Sequence, residues 1–93
     1  MRVAMCMNER EKFAEMVGQF LEQYCEEGAD LRVTERDLFV QFRLFWAQAT
    51  HRWIHEAPFS DFHAEMRRRG YRFVRTSRHY WYGLHLRKKL QRP

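Results

Sequence analysis

Residues 62–86, FHAEMRRRGYRFVRTSRHYWYGLHL, decide the fold, because the spacing of their apolar side chains changes at Gly70. Before Gly70, Phe62 and Met66 are four residues apart, the spacing of one face of an α-helix. After Gly70 the spacing becomes two, in two runs that residues 77–79 separate. Two alternating runs on either side of a short polar turn predict a β-hairpin. The segment therefore predicts a helix followed by a hairpin.

Gly83 falls inside the second run and predicts a β-bulge there. A bulge would change the face that is buried, so that Trp81 also turns inward. Trp81 and Tyr82 could instead stack on unpaired bases. Aromatic residues in the strands of a small domain usually belong to its core, and we favour the core for Tyr82.

A first helix is predicted to begin after Asn8, which can cap its first turn, and to end at Gly28. Its apolar residues recur every three or four positions: Phe13, Met16, Val17, Phe20, Leu21 and Tyr24. Cys25 continues this helical stripe and is expected to be a reduced core residue. Residues 31–33 are a short candidate strand.

The second helix is predicted to begin at Thr34, with Asp37 as its partner in a reciprocal cap. Its apolar stripe is the strongest in the chain and is assigned to the core: Leu38, Phe39, Phe42, Phe45 and Trp46. The helix should fade within residues 50–53. Pro58 marks the start of a third helix, because its ring sets a helical dihedral angle, and Ser60 is a second possible cap.

The order of elements is helix, short strand, helix, helix and hairpin, which predicts a single α+β domain. We expect a winged helix-turn-helix, in which three helices and a short strand are followed by a C-terminal β-hairpin wing. The expected boundaries are a flexible N-terminal tail at residues 1–7, the winged-helix domain at 8–87 and a basic C-terminal tail at 88–93.

Charge is distributed unevenly along the chain. Residues 1–50 carry 6 Lys and Arg against 9 Asp and Glu, whereas residues 51–93 carry 11 against 3. Fourteen of the seventeen basic residues are Arg, whose planar guanidinium can bond two phosphate oxygens at once. The basic half also interleaves Arg with aromatic residues. This pattern favours a nucleic-acid partner, and an ordinary solvated basic face is the alternative.

In a winged helix-turn-helix the third helix enters the major groove, and the hairpin follows the DNA backbone or the minor groove. We therefore expect double-stranded DNA to contact exposed residues of these two elements: Ser60, His63, Arg67, Arg68, Arg72, Arg75, Ser77, Arg78 and His79. Arg67 and Arg68 are expected to reach guanine or phosphate. Arg69 could equally lay its stem over the core. Asp61 and Glu65 are interpreted as local ion-pair partners of the neighbouring Arg residues.

Several classes of function find no support in the sequence. No apolar run approaches the roughly 20 residues that span a bilayer, and the apolar start is too short for a signal peptide. There is no Gly-rich phosphate loop and no G-x-S-x-G motif. His51 and His55 could share a helical face, but neither the Glu of the protease motif nor a Cys pair accompanies them. The two cysteines are also far apart, which favours a cytoplasmic protein. Because no catalytic or metal-binding motif is present, we expect a non-enzymatic protein without metal or cofactor.

Short motifs within residues 17–87 carry a resemblance to a known family. They are Phe20-Leu21, Tyr24-Cys25 and Gly28, then Val33-Thr34, Leu38-Phe39, Phe42 and Trp46, and finally Phe62, Met66, Gly70-Tyr71 and residues 80–86. In these motifs the chain resembles the C-terminal winged-helix domain of phage and plasmid primase–helicases, the satellite-phage and poxvirus-type ATPases. The resemblance implies a winged helix that binds DNA at a replication origin. A role in phage or plasmid DNA replication, or in transcription regulation, would follow.

The chain departs from that family in three respects. It carries no primase or ATPase segment, so neither activity is implied. Ala57-Pro58 stands where the family tends to have an apolar residue followed by Ser. Residues 48–56 hold Trp53 and two His where the family usually has a polar turn. A stand-alone protein of a mobile element and a part of a longer protein both fit the sequence.

Two alternatives to duplex binding stay open. A winged helix can serve as a docking or dimerisation module, and the acidic first helix could pair with a basic partner. A homodimer, or a complex with a replication or regulatory protein, is then the expected assembly. An exposed apolar strip on that helix or near Trp53 would favour this alternative. The other is binding of RNA or single strands, with Trp81 as a stacking platform.

Overall fold

The computed structural model describes residues 9–90, which form three α-helices and one antiparallel sheet of three strands. In chain order the elements are α1 (Glu9–Tyr24), β1 (Cys25–Thr34), α2 (Glu35–Thr50), a short 3-10 turn (Ile54–Glu56), α3 (Phe59–Arg68), β2 (Arg72–Arg75) and β3 (His79–Leu86). The predicted α+β class and the order of elements are confirmed. The predicted cap at Asn8 and the tail at residues 1–7 lie outside the described residues.

The C-terminal hairpin is confirmed. Strand β3 lies between β1 and β2, and Arg75 pairs with His79 at the hairpin end. The turn is closed at Thr76, whose backbone N–H and hydroxyl both donate to the carbonyl oxygen of Arg78, at 2.9 and 2.7 Å. The turn thus lies one residue earlier than the sequence predicts.

The predicted end of the first helix at Gly28 is wrong. Helix α1 ends at Tyr24, and β1 begins immediately at Cys25, which pairs with Leu86 of β3. The hydrogen-bonding partners of this segment lie in β3, far along the chain. The segment therefore forms a strand of ten residues in place of the short candidate at 31–33. Cys25 is a buried free thiol, as expected, and burial raises its pKa to about 12.

A bulge interrupts the pairing of β1 with β3 and confirms the expectation for Gly83. Glu27 pairs with Leu84 and Arg32 pairs with Tyr82, so residues 28–31 of β1 stand opposite Gly83. Gly83 has a φ of 101°, which an L side chain rarely adopts. The buried face changes at this point, since Trp81 and Leu84 are both fully buried although they are three positions apart, a spacing that regular alternation would place on opposite faces.

The change of buried face determines on which side of the sheet Trp81 and Tyr82 lie. Trp81 lies wholly inside the core, so its proposed role as a stacking platform is wrong. Tyr82 is half-buried and lies outside the core cluster, contrary to the expectation. Adjacent strand residues point to opposite sides of a sheet, and the burial of Trp81 therefore directs Tyr82 away from the helices.

The helices pack on the inner face of the sheet around a cluster of phenylalanine rings. Phe42 of α2 stacks on Phe62 of α3 at 4.4 Å between ring centroids, and Phe20 of α1 meets both rings edge-on. One half of the predicted reciprocal cap of α2 is present, because the Thr34 hydroxyl accepts the N–H of Asp37 at 3.1 Å. The predicted core stripe of α2 lies in or against this cluster.

The ends of α2 and α3 also follow the sequence closely. Helix α2 ends at Thr50, and His51 behind it takes a left-handed conformation with a φ of 58°. Helix α3 begins at Phe59 directly after Pro58. Since Pro58 itself occupies the cap position, the alternative cap at Ser60 is wrong.

Candidate nucleic-acid interface

His63 lies where α3 meets the hairpin and the start of α2. Its ring packs against Phe73 at 4.6 Å and Trp81 at 4.8 Å between centroids. Its Nε2 is 3.7 Å from a carboxylate oxygen of Glu35, and only 19% of its side chain is exposed. His63 therefore joins α3 to the sheet and presents little surface to a ligand.

Glu35 holds a second histidine from the hairpin. Nδ1 of His79 lies 3.4 Å from the other oxygen of the same carboxylate. Glu35 is the first residue of α2, where the positive end of the helix dipole favours a negative charge. One carboxylate therefore connects α2 with both α3 and β3.

Two arginines flank this cluster from different elements. Arg67 follows His63 by one helical turn, so both lie on the same side of α3. Arg75 of β2 lies on the same side of the sheet as Phe73, and its guanidinium is 5.8 Å from the centre of that ring. Burial lowers the pKa of His63; the Glu35 carboxylate opposes this shift, and the positive charges of Arg67 and Arg75 reinforce it. Both guanidiniums are thus close enough to act on one imidazole.

The hairpin tip extends this surface towards the start of α2. Ser77, Arg78 and His79 line an open cleft of about 700 Å³ together with residues 34–37. We call the surface that α3 and the hairpin form here the α3–hairpin face; it comprises His63, Arg67, Arg75, Ser77, Arg78 and His79. In the part of the chain that the structure describes, no ion pair within 4 Å joins Arg67, Arg75 or Arg78 to a carboxylate.

Arg68 belongs to a different environment. Its Nε and Nη2 donate to the two oxygens of Glu65 at 2.9 and 2.6 Å, although 65% of its side chain is exposed. It lines a separate cleft of about 870 Å³ between α1, α2 and α3. The carboxylate of Glu65 neutralises Arg68, and Arg68 lies apart from the α3–hairpin face.

Arg69 shares the same carboxylate and has a structural role. Its Nε donates to Glu65 at 2.8 Å, and its Nη2 donates to the carbonyl oxygen of Ala14 in α1 at 2.8 Å. The hydrogen bonds from Arg68, and to a smaller extent the one from Arg69, hold the pKa of Glu65 below its usual range. Glu65 is therefore one of the two ion-pair partners that the sequence predicts; for the other, Asp61, no ion pair within 4 Å is found among residues 9–90. Arg69 is used inside the protein.

Arg72 is also apart from the cluster around His63, whereas Ser60 lies one helical turn before His63 on the same side of α3. Arg72 lies on the outer side of the sheet, with its guanidinium 5.2 Å from the centre of the Tyr82 ring. Ser60 is exposed in the first turn of α3. Of the nine residues predicted to contact DNA, six belong to the α3–hairpin face, although the largely buried His63 offers little surface for a contact. Ser60 adjoins that face on α3, and Arg68 and Arg72 lie elsewhere.

Sequence reasoning missed the contribution of α2 to this surface. Glu35 bridges the two histidines, and Arg36 lines the cleft beside Arg78. The predicted cap at Thr34 placed both residues in the first turn of α2. Nothing in the local pattern indicates that the hairpin tip folds back onto that turn, because the two segments are more than forty residues apart.

Other kinds of site find little support among residues 9–90. They contain no group of three or more His, Cys, Asp or Glu side chains that could hold a metal ion. None of the described helices has the length and apolar character needed to cross a membrane. Comparisons of the chain with protein-family models, curated proteins and solved structures found no match.

Proposed function

We propose that this chain is a winged-helix domain that binds double-stranded DNA through the α3–hairpin face and carries out no catalysis. The order of elements and the strand order β1-β3-β2 support the winged helix. In this proposal α3 enters the major groove, and the hairpin is the wing that follows the backbone. The resemblance to primase–helicase domains supports an origin-binding role, in replication or transcription of a phage or plasmid.

One observation carries the proposal. Arg67 lies one helical turn after His63 on α3, and the guanidinium of Arg75 lies over the Phe73 ring that packs against His63. Arg78 lines the adjacent cleft at the hairpin tip. Cations from separate elements thus converge on one side of the molecule. Among residues 9–90 none of these three arginines has a carboxylate within 4 Å, although Glu35 and Asp37 line the same cleft. Such a surface attracts a polyanion, and planar guanidiniums suit its phosphate oxygens.

The roles within the face differ by residue. Arg67 is exposed on α3 and is placed to reach a base edge or a phosphate in the groove. Arg78 and Ser77 are exposed at the hairpin tip and are placed for backbone contacts. Glu35 would repel phosphate, so the DNA backbone should pass on either side of it and not across it.

Single arginine variants test this assignment. Arg67→Gln and Arg78→Gln should each weaken binding to a 20-base-pair duplex and lower the salt slope by about one, since each removes one phosphate contact. Arg52→Gln is the matched control, because Arg52 is exposed in the connection between α2 and α3 and lines the other cleft. Fluorescence anisotropy over a range of salt concentrations measures both quantities. Equal effects of all three variants would remove the α3–hairpin face from the proposal.

A protein-binding role is the second candidate, and one observation favours it. Trp53 is 71% exposed and Phe59 is 43% exposed, both close to the start of α3. Exposed large apolar side chains of this kind are common at protein interfaces. A homodimer, or a complex with a replication or regulatory protein, would use them. Sedimentation velocity with Trp53→Ser as the comparison separates this candidate: self-association that the variant abolishes would support it, and a monomer that shifts only with duplex DNA would reject it.

A further inference from the structure

The side of the sheet that faces away from the helices carries an alternating set of arginine and tyrosine side chains. Arg32 of β1 and Arg72 of β2 both pair with Tyr82 of the central strand β3. Tyr80 lies two residues before Tyr82 and therefore points to the same side. We call this group, Arg32, Arg72, Tyr80 and Tyr82, the outer sheet face.

The guanidiniums of this group stack on the tyrosine rings. That of Arg32 is 4.3 Å from the centre of the Tyr80 ring, and its Nη1 donates to the Tyr82 hydroxyl at 3.5 Å. The guanidinium of Arg72 approaches Tyr82 from the opposite strand, and the two tyrosine rings are 6.3 Å apart. The two rings are inclined at 62° to each other, and each has a guanidinium over it.

We propose that the outer sheet face binds single-stranded nucleic acid, with unpaired bases stacked on Tyr80, Tyr82 and the guanidiniums beside them. This site goes beyond the proposed binding of duplex DNA and uses the other side of the sheet.

Stacking chemistry favours this ligand. A base can stack on a tyrosine ring or on the free side of a guanidinium plane, and such stacking accepts any base. Both tyrosines are half-buried and both arginines are exposed, so the rings are held in place while the charged ends remain accessible. Bases within a duplex are already stacked on one another, so this chemistry selects unpaired strands.

Charge supports the same ligand and limits the extent of the site. Among residues 9–90, no ion pair within 4 Å joins Arg32 or Arg72 to a carboxylate. β1 carries exposed Asp30 within the bulge and exposed Glu26 beyond it, and both would repel a phosphate backbone. The half of the sheet next to the hairpin turn is therefore the half that suits a polyanion, and it has room for about two stacked bases.

Anisotropy titrations with labelled (dT)12, labelled (rU)12 and a blunt 20-base-pair duplex test the site. The double variant Tyr80→Leu/Tyr82→Leu keeps apolar bulk and removes the rings, so it should weaken binding of the single strands at least about tenfold. Its affinity for the duplex should change by less than about twofold, because the α3–hairpin face is intact. Arg67→Gln is the matched control and should show the reverse pattern. The (rU)12 arm shows whether the site takes RNA as well as DNA.

A second measurement does not depend on the variants being folded. In the wild-type protein, addition of (dT)12 should shift the ring resonances of Tyr80 and Tyr82 in carbon–proton NMR spectra, through ring currents of the stacked bases. The ring of Tyr24, which packs against Phe20 inside the protein, should not respond.

The outcomes separate this site from the proposed function. Failure of both oligonucleotides to bind, or equal binding by the leucine variant, overturns the outer sheet face and leaves duplex binding standing. Single-strand binding that is lost in the leucine variant, together with no duplex binding at any salt concentration, supports this site and overturns the proposed function.

Discussion

Glu65 shows how a single side chain decides which arginines are available to a ligand. It is the last carboxylate before the basic hairpin and is 8% exposed, with hydrogen bonds from Arg68 and Arg69. Removing the positive partners of so buried a carboxylate would be costly, so Arg68 and Arg69 are both held in hydrogen bonds within the protein. Arg67 is adjacent in sequence but points to the other side of α3 and escapes this pairing.

Replacing Glu65 tests its structural role. Glu65→Gln should lower the free energy of unfolding by about 1–2 kcal/mol, because it removes charge-assisted hydrogen bonds and the tie through Arg69 to α1. Urea unfolding at pH 7 measures the change. Glu56→Gln, an exposed carboxylate in the 3-10 turn, is the control and should stay within about 0.5 kcal/mol of the wild type. Equal stability of the two variants would contradict this role.

Two residues should make the free energy of unfolding decrease as the pH falls. The pKa of His63 is lowered from an ordinary 6.5, so its contribution is complete above that pH and is lost as the pH falls through the lower value in the folded protein. The pKa of Glu65 is lowered from 4.5, so its contribution is lost in the same direction at more acid pH. The free energy of unfolding should therefore decline in two steps on acidification from pH 7.

Urea unfolding at intervals between pH 7 and about pH 3.5 measures both steps. His63→Gln should lack the first step and keep the second. A free energy of unfolding that stays constant from pH 7 to below pH 6 in the wild type would show that protonation of His63 does not oppose folding.

At the scale of elements, local pattern predicts the helices well and the sheet incompletely. The stripe from Leu38 to Trp46 and the cap at Thr34 are local signals, and both are confirmed. The strand at Cys25 replaces a predicted helical turn, because its partners in β3 are distant in sequence. The opposite sides taken by Arg72 and Arg75 follow from alternation along β2, but which side faces the helices depends on the packing of Phe73.

The bulge makes a prediction at this scale. Gly83→Ala should cost about 1–2 kcal/mol of stability, since its φ of 101° strains any residue with a Cβ. Gly28→Ala is the control on the facing strand: Gly28 does not have a positive φ, and its added Cβ would meet the Leu31 side chain, with Cδ1 at 2.9 Å and Cγ at 3.1 Å, which would have to shift. Thermal unfolding should show the larger loss for Gly83→Ala, and the reverse order would contradict the assigned backbone conformation.

The N-terminal cap of α2 leads to a further prediction about stability. Thr34→Ala should cost about 1 kcal/mol, because the N–H of Asp37 loses its acceptor, whereas Thr34→Ser keeps a hydroxyl and should lose less. Urea unfolding of the two variants measures the difference. Equal losses would mean that the methyl group, and not the hydrogen bond, matters at this position.

At the scale of the molecule, the fold turns an uneven distribution of charge along the chain into an uneven distribution over the surface. Four exposed carboxylates lie on α1, at Glu9, Glu11, Glu15 and Glu22, whereas Arg67, Arg75 and Arg78 lie on α3 and the hairpin. The sequence could predict the basic half as a whole. It could not predict which arginines the protein neutralises, because those pairings depend on the path of the chain in space.

This distribution predicts a strong dependence of duplex binding on salt. Three phosphate contacts from Arg67, Arg75 and Arg78 give a slope of about −2.7 in a plot of log affinity against log salt concentration. Affinity should therefore fall by roughly 40-fold between 50 and 200 mM salt. The triple glutamine variant should give a nearly flat plot. A slope that the triple substitution leaves unchanged would place the bound phosphates elsewhere.

The most direct test of the central claim is a map of duplex binding onto the protein by nitrogen–proton NMR. On titration with a 20-base-pair duplex, we predict that the amide shifts concentrate in α3 and the hairpin, around Arg67, Arg75 and Arg78, and that the amides of α1 stay in place. Shifts confined to α1 or to the surroundings of Trp53, or no shifts at all, would contradict the account.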